Sequence, residues 1–312
     1  MMSYRLYIDG KDAYKQWGVY VVNGGWNELI AYPPLKSVDY NDWQEEDGIE
    51  ADLSDPKLDT KEVSLNIAYG GLYSRFIEFI TLLSDRAYHD FNCAFIGRRY
   101  TLRLTQMPNL DHTQTLGFAT IKLSNDFPLK DYRYKAPSSL TLRSEDYLID
   151  GLPFTDYGCR ILQGSLSEIM KTPAVKQNLL RDIATQSGAI YDGAAVTFKS
   201  KDVKLNCLMR ADTLDELWRN YDALLFDLTR RHERLLGVSE LKQQFPCFYK
   251  SSNVSEFYPE GKIWLRFTLT LTFTHSFRLK GDVPDYSKNP TMRFVNDRRT
   301  LRLTGSGAIR LS

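Results

Sequence analysis

The feature that most constrains this chain is a long, gapless match to itself. Residues 18–69 lie on residues 158–209 at a constant shift of 140. The coinciding pairs are Gly18/Gly158, Gly24/Gly164, Glu28/Glu168, Pro33/Pro173, Lys36/Lys176, Asp42/Asp182, Gly48/Gly188, Lys61/Lys201, Val63/Val203, Leu65/Leu205 and Asn66/Asn206. Roughly three coincidences are expected by chance over such a length, so a repeat is the first reading. Just upstream, Ile8-Asp9-Gly10 matches Ile149-Asp150-Gly151, one residue out of step. Glycine and proline fix backbone angles that few other residues accept, and Val-x-Leu-Asn has the alternation of a strand with one apolar face. A shift of this size is that of a domain rather than of a solenoid unit. The reading is a tandem duplication: residues 1–127 as copy 1, 128–146 as a linker, 147–277 as copy 2, and 278–312 as a C-terminal extended arm.

The 312 residues are enough for two such domains. Lys and Arg (40) nearly balance Asp and Glu (39), so no overall field draws the chain to nucleic acid or to an anionic membrane. The four cysteines, Cys93, Cys159, Cys207 and Cys247, form no Cys-x-x-Cys pair and sit among apolar neighbours, which suits buried reduced thiols. The first residues lack an apolar signal core, and no apolar run has the length of a membrane span; synthesis and retention in a reducing cytoplasm are expected.

Alternation predicts strands at 4–8, 19–22, 61–69, 100–104, 116–123 and 263–274, with Asp9-Gly10 and Asn23-Gly24-Gly25 as turns. Residues 39–60 are acidic and polar and predict a loop. Apolar residues at three- and four-residue spacing (Leu72, Phe76, Phe79, Ile80, Leu83) predict one helix over 71–86. Its counterpart over 213–230 opens on Thr213-Leu-Asp-Glu216, the form of a capping box. The fold class is therefore mainly β with flanking helices, an α+β arrangement with one helix per copy. The sharpest pattern is the strand 263–274, where Leu265, Phe267, Leu269, Leu271 and Phe273 face a core. Arg266, Thr268, Thr270, Thr272 and Thr274 face water or a polar partner. Residues 278–312 carry eight Lys/Arg against three Asp, among them Arg293, Arg298, Arg299 and Arg302, with little periodic apolar content. Such a segment is an exposed tail, or an arm that orders on a neighbour.

Catalytic chemistry is not indicated. His89, His112, His232 and His275 are scattered, none at metal-ligand spacing, and no metal or cofactor is expected. Gly24-Gly25 lacks the third glycine of a dinucleotide loop. Gly164-Ser165-Leu166-Ser167-Glu168 departs from a nucleophile elbow at its last position. Glu28 and Glu168 could be imagined as acid and base, but their equivalence across the repeat favours a structural role. Trp17, Trp26 and Trp43 could stack on sugars, with core or subunit interface the simpler reading.

The order Tyr-Ile-Asp-Gly-x-Asp, Trp17-Gly18, a strand, a proline turn, Asp47-Gly48, the strand Lys61–Tyr69 and a helix resembles the N-terminal domain of phage distal tail proteins. Ile149-Asp150-Gly151, Tyr157-Gly158, Gly188 and the strand-helix unit at 202–228 look like the same domain again. The resemblance covers about residues 4–127 and 147–275. It implies a tail-tube-like β-sandwich or barrel with one flanking helix, and a virion structural protein rather than an enzyme. By that likeness the chain is a distal tail or baseplate hub component, a homo-oligomeric ring around the DNA channel. A ring of three or six chains would join the tail tube to the tip. Its implied partners are further copies of itself, the tail tube, the tape measure and the tip or receptor-binding proteins. DNA would pass without specific binding, no membrane would be entered, and the implied place is the virion tail, assembled in the host bacterial cytoplasm. The duplication is similar to that of trimeric hubs with two tube domains per chain. A tail tube subunit and a carbohydrate-binding β-sandwich adhesion module are the alternatives.

Overall fold

The computed structural model describes residues 5–22, 24–113, 115–130, 132–176, 180–182, 184–185, 187–191 and 196–275, with the backbone of Met292–Val295, Thr300–Leu303 and Ala308–Arg310. The protein is mainly β with flanking helices. Its first half contributes β1 (Leu6–Ile8), β2 (Lys11–Asp12), β3 (Val19–Val21), β4 (Lys61–Gly70), β5 (His89–Cys93), β6 (Arg98–His112) and β7 (Leu116–Asn125). These form an antiparallel sheet in the order β2-β1-β5-β6-β7-β4-β3. The second half contributes β8 (Tyr147–Ile149), β9 (Leu152–Pro153), β10 (Cys159–Ile161), β11 (Lys201–Ala211), β12 (Arg234–Val238), β13 (Gln243–Tyr258) and β14 (Ile263–Phe273). Their order is β9-β8-β12-β13-β14-β11-β10. Each strand of the second sheet thus holds the place of the strand seven before it.

Alternation places the cores. In the second sheet Val203, Leu205 and Cys207 stand opposite Leu271, Leu269 and Phe267, all essentially without exposure. Val63, Leu65 and Ile67 stand opposite Leu123, Ile121 and Ala119 in the first. The long strands β6 and β13 slip register between Leu104 and Gln106 and between Tyr249 and Ser251. Near that bulge each changes partner, β6 from β5 to β7 and β13 from β12 to β14, which lets the sheet curl. Sequence reading missed β5, β12 and β13, the last with a burial pattern interrupted by polar positions and bulges.

Among the described residues five helices flank the sheets: α1 (Ala13–Trp17), α2 (Asn27–Ile30), α3 (Tyr73–Ser84), α4 (Ser165–Met170) and α5 (Leu214–Leu228). The two long ones end a few residues inside the predicted spans, and α1, α2 and α4 were not foreseen. In α3, Phe76, Phe79, Ile80 and Leu83 turn to the sheet, with Phe76 stacked 4.7 Å from Tyr69. Thr213 caps α5 by accepting from the Glu216 amide at 3.2 Å, and the Glu216 carboxylate accepts from the Asp212 amide at 3.1 Å.

Several of the coinciding residues make the same local contacts. Gly18 and Gly158 end α1 and the 3-10 turn Phe154–Tyr157 at φ of 72° and 69°. Their carbonyls accept from Gly70 N at 3.0 Å and Arg210 N at 2.9 Å, and a Cβ at Gly18 would overlap the Gly70 carbonyl. Lys61 Nζ donates to the carbonyls of Leu29 and Ala31 at the end of α2, and Lys201 Nζ to those of Ile169 and Lys171 at the end of α4. Asp9 and Asp150, both at positive φ, accept from Asp90 N at 3.0 Å and Leu235 N at 2.9 Å. Their second oxygens meet the cation-forming side chains that open the adjacent strands, His89 Nδ1 at 2.7 Å and Arg234 Nη1 at 2.8 Å.

Between the sheets, the described residues of 126–146 hold no strand or helix, yet several of them lie against α5. Ser138 N donates to Asn220 Oδ1 at 2.9 Å, Asn220 Nδ2 donates to Ser138 O at 3.0 Å, and Tyr134 lies 5.1 Å from Phe226. At the C-terminus, Met292–Val295, Thr300–Leu303 and Ala308–Arg310 pair as a three-stranded antiparallel meander.

Candidate assembly interface

The polar stretch 39–60, read from sequence as a loop, proves to be where the first half grips the second. A hairpin pairs Tyr40 with Ala51 and Asn41 with Glu50. Its turn reaches Lys176, whose side chain is 1% exposed. The three protons of that ammonium meet three acceptors: Trp43 O and Gly48 O, each at 2.6 Å, and Asp42 Oδ1 at 2.6 Å. A buried ammonium is tolerable only when it is so completely paired. Backbone bonds complete the clasp. Gly48 N donates to Phe198 O at 2.7 Å, Phe198 N to Asp47 Oδ1 at 2.8 Å, Ile49 N to Thr274 O at 3.0 Å, and His232 N to Leu53 O at 2.8 Å. Gly48 sits at φ +76°, and a Cβ there would overlap the Thr274 carbonyl. Only glycine combines that angle with that approach.

Beside the clasp, α2 and the chain after it lie on β13 and α5. Tyr32 stacks on Tyr221 at 3.9 Å and meets the edges of Tyr249 and Phe267 at 6.3 and 6.0 Å. Its hydroxyl donates to Tyr221 O at 2.6 Å, Tyr221 returns a bond to Ile30 O at 3.3 Å, and the Tyr249 hydroxyl donates to Pro33 O at 2.8 Å. Burial first, then the neighbouring Tyr221, raises the Tyr32 hydroxyl well above its ordinary value, so it remains a neutral donor. Trp218 Nε1 donates to Ile96 O at 2.7 Å, while Arg98 pairs with Asp222 and lies 4.3 Å over the Trp218 ring. Aromatic anchors around a partly buried ion pair are the composition of a strong protein interface.

The residues singled out from sequence fall in several places. Along β14, Arg266 is exposed, 3.9 Å from Glu256, and Thr268 and Thr270 are half-buried. Thr272 and Thr274 are buried, so of the two environments expected for this face, water or a polar partner, these two positions have the second. Thr272 Oγ1 donates to Asp202 Oδ1 at 2.7 Å, and the Thr274 carbonyl is taken by the clasp. Arg293 and Arg302 stand opposite one another in the C-terminal meander. Arg298 and Arg299 lie outside the described residues. Trp17 and Trp26 are core residues, leaving Trp43 as the exposed member of that set, with its ring N–H 3.4 Å from Glu50 Oε2. Glu28 accepts from Ser64 N at 2.6 Å and Glu168 pairs with Lys171, both structural uses. The four cysteines are buried and unpaired. Among the described residues no cluster of metal-ligating side chains occurs, and no helix is long and apolar enough to cross a membrane.

The clasp residues Asp42, Gly48 and Lys176 were visible in sequence as members of coinciding pairs, but nothing there indicated that they meet. No family model matches the chain, and no curated protein matches it by sequence. Among solved structures it is similar to the Dit protein of phage SPP1, described as a paradigm of the hub adsorption apparatus of phages infecting Gram-positive bacteria. That likeness has 10% identity and a TM-score of 0.30, covering 86% of this chain and 98% of the other.

Proposed function

We propose that the chain is a structural subunit of a phage or phage-derived tail, a distal tail or baseplate hub component built from two copies of one tube-like domain. The observation that carries this reading is the contact between the halves. Two sheets of the same strand order are joined through different faces, the clasp and α2 of one against α5, β13 and the Lys176 region of the other. A contact between unlike faces of like units can be repeated from chain to chain, and it closes into a ring when the rotation returns to its start. Closure also covers sheet edges that would otherwise invite uncontrolled pairing. Near-neutrality suits a channel, because a strongly basic lumen would hold DNA through counterion release. In this reading the open end of β14, at Arg266, Thr268 and Thr270, faces the lumen, and the basic segment after residue 277 ties neighbours together.

Mass photometry and analytical ultracentrifugation of the full chain, and of a form ending at residue 277, test the proposal. A discrete ring of three or six chains is expected. A protein that stays monomeric at high concentration and within tail preparations is not a hub. Truncation that leaves assembly unchanged would remove the role given to the C-terminal segment.

A further inference from the structure

Among the described residues the clasp is made once, and the sequence holds the residues of a second. The donor elements recur: Leu180–Asp182 pairs with Ala189–Tyr191 in the register of the first hairpin, Leu180 with Tyr191 and Arg181 with Ile190. Asp182 and Gly188 hold the places of Asp42 and Gly48, and Gly188 has φ +87° with open space where a Cβ would stand. Asp47, which accepts from Phe198 N, is answered by Ser187, another acceptor side chain. The receiving elements recur as well. The bridge Val175–Phe198, on which the first hairpin sits, has its counterpart in Leu35–Leu58. Lys36 N donates to Lys57 O at 2.9 Å, as Lys176 N does to Thr197 O at 2.8 Å. Yet the Lys176 side chain is buried, whereas Lys36 is exposed.

The same contrast marks two helix positions of the interface. Ile30, at the end of α2, is 2% exposed beneath Tyr221; Met170, its counterpart on α4, is 60% exposed. Trp218, the fifth residue of α5, is 6% exposed against the first half; Ile77, the fifth residue of α3, is 44% exposed. At these two helix positions the apolar side chain is covered by the partner half in one copy and bare in the other, whereas Val175, at the rim of the clasp, stays 48% exposed. Open space at Gly188 beside a bare Met170, and a bare Lys36 beside a bare Ile77, are complementary halves of a head-to-tail joint.

We infer that a second copy of this chain is the occupant: the Leu180–Tyr191 hairpin and α4 of one subunit dock on Lys36, Leu58 and α3 of the next. Asp182 then meets Lys36 as Asp42 meets Lys176. This rests on the hub reading and specifies its subunit contact. Three observations favour a like chain over any other partner. The internal joint supplies its geometry, the charge pair is retained, and Lys36/Lys176, Asp42/Asp182 and Gly48/Gly188 are all coinciding pairs.

The test is a charge swap combined with a cross-link. Lys36→Asp and Asp182→Lys should each weaken assembly at least about tenfold, since each leaves an unpaired or repelling charge in the joint, and the double substitution should restore it. In a Lys36→Cys/Asp182→Cys protein, mild oxidation should give a ladder of chain multimers on non-reducing gels. The native cysteines, all buried, supply little background. Circular dichroism melts of each variant check folding, and the cross-link does not depend on the ion pair. A wild-type protein that assembles while the single variants assemble equally well and the cysteine pair gives no ladder overturns this joint and leaves the ring reading standing. A wild-type protein that never assembles sinks the ring reading itself.

Discussion

At the scale of single residues, two positions make stringent predictions. Gly48 combines a left-handed backbone with contact to the Thr274 carbonyl, so Gly48→Ala must strain the turn and push the clasp away. A left-handed alanine costs about 1–2 kcal/mol before any overlap. A loss of at least about 2 kcal/mol in urea unfolding is therefore expected, whereas Gly24→Ala, at φ +77° but in open space, should lose the backbone part alone. Equal losses at the two sites would refute the close approach. Lys61 makes the second prediction. Burial, reinforced by the Arg98 charge, pushes its ammonium down to about 7 from 10.5. Between those values the unfolded chain holds a proton that the folded chain has released, so stability rises with pH from about 7 toward 10. Below pH 7 both states are protonated and the penalty is full. The raised hydroxyls of Tyr32 and Tyr221 act oppositely above about pH 10, where the unfolded tyrosines ionise first. A pH series of urea midpoints should show that rise in the native protein and a flatter one in Lys61→Met.

Elements show how weak local signals become definite ends. The Thr213 cap and the Glu216 carboxylate serve amides that helix geometry leaves without partners. Thr213→Ala should cost about 1 kcal/mol of stability by urea unfolding, and Thr213→Ser almost nothing. Comparable loss in both would mean that the methyl group, not the hydroxyl, matters. The strands were readable wherever one face was apolar throughout, as in β4, β11 and β14. β13 was not, because its bulges reverse which residues face the core and its middle residues serve the contact with the first half.

At the scale of the whole molecule, the interface between the halves combines a clasp, stacked tyrosines and an ion pair, so the halves should unfold together. Trp218→Ala removes a ring lodged against Ile96 and the Arg98 guanidinium, a change in the range of about 3–5 kcal/mol for a buried tryptophan. Calorimetry should show one transition in the native protein, separating into two in Trp218→Ala. A native protein that already unfolds in two separate steps would show that the interface couples the halves weakly.

The amino-acid sequence by itself determined the fold class, the two long helices, the principal strands and the self-match, because each is written in neighbouring residues: alternation, helical spacing, and glycines with special angles. It could not show what 39–60 does. The stretch is polar because its partners are backbone carbonyls, amides and an ammonium more than a hundred residues away, and such groups leave no periodic pattern. It likewise left open whether Thr272 and Thr274 meet water or a polar partner, since alternation reports which side of a strand a residue occupies but not whether another element covers that side. Only the tertiary structure decided that one lysine of a matching pair is buried and the other bare, because burial belongs to what arrives from elsewhere in the chain.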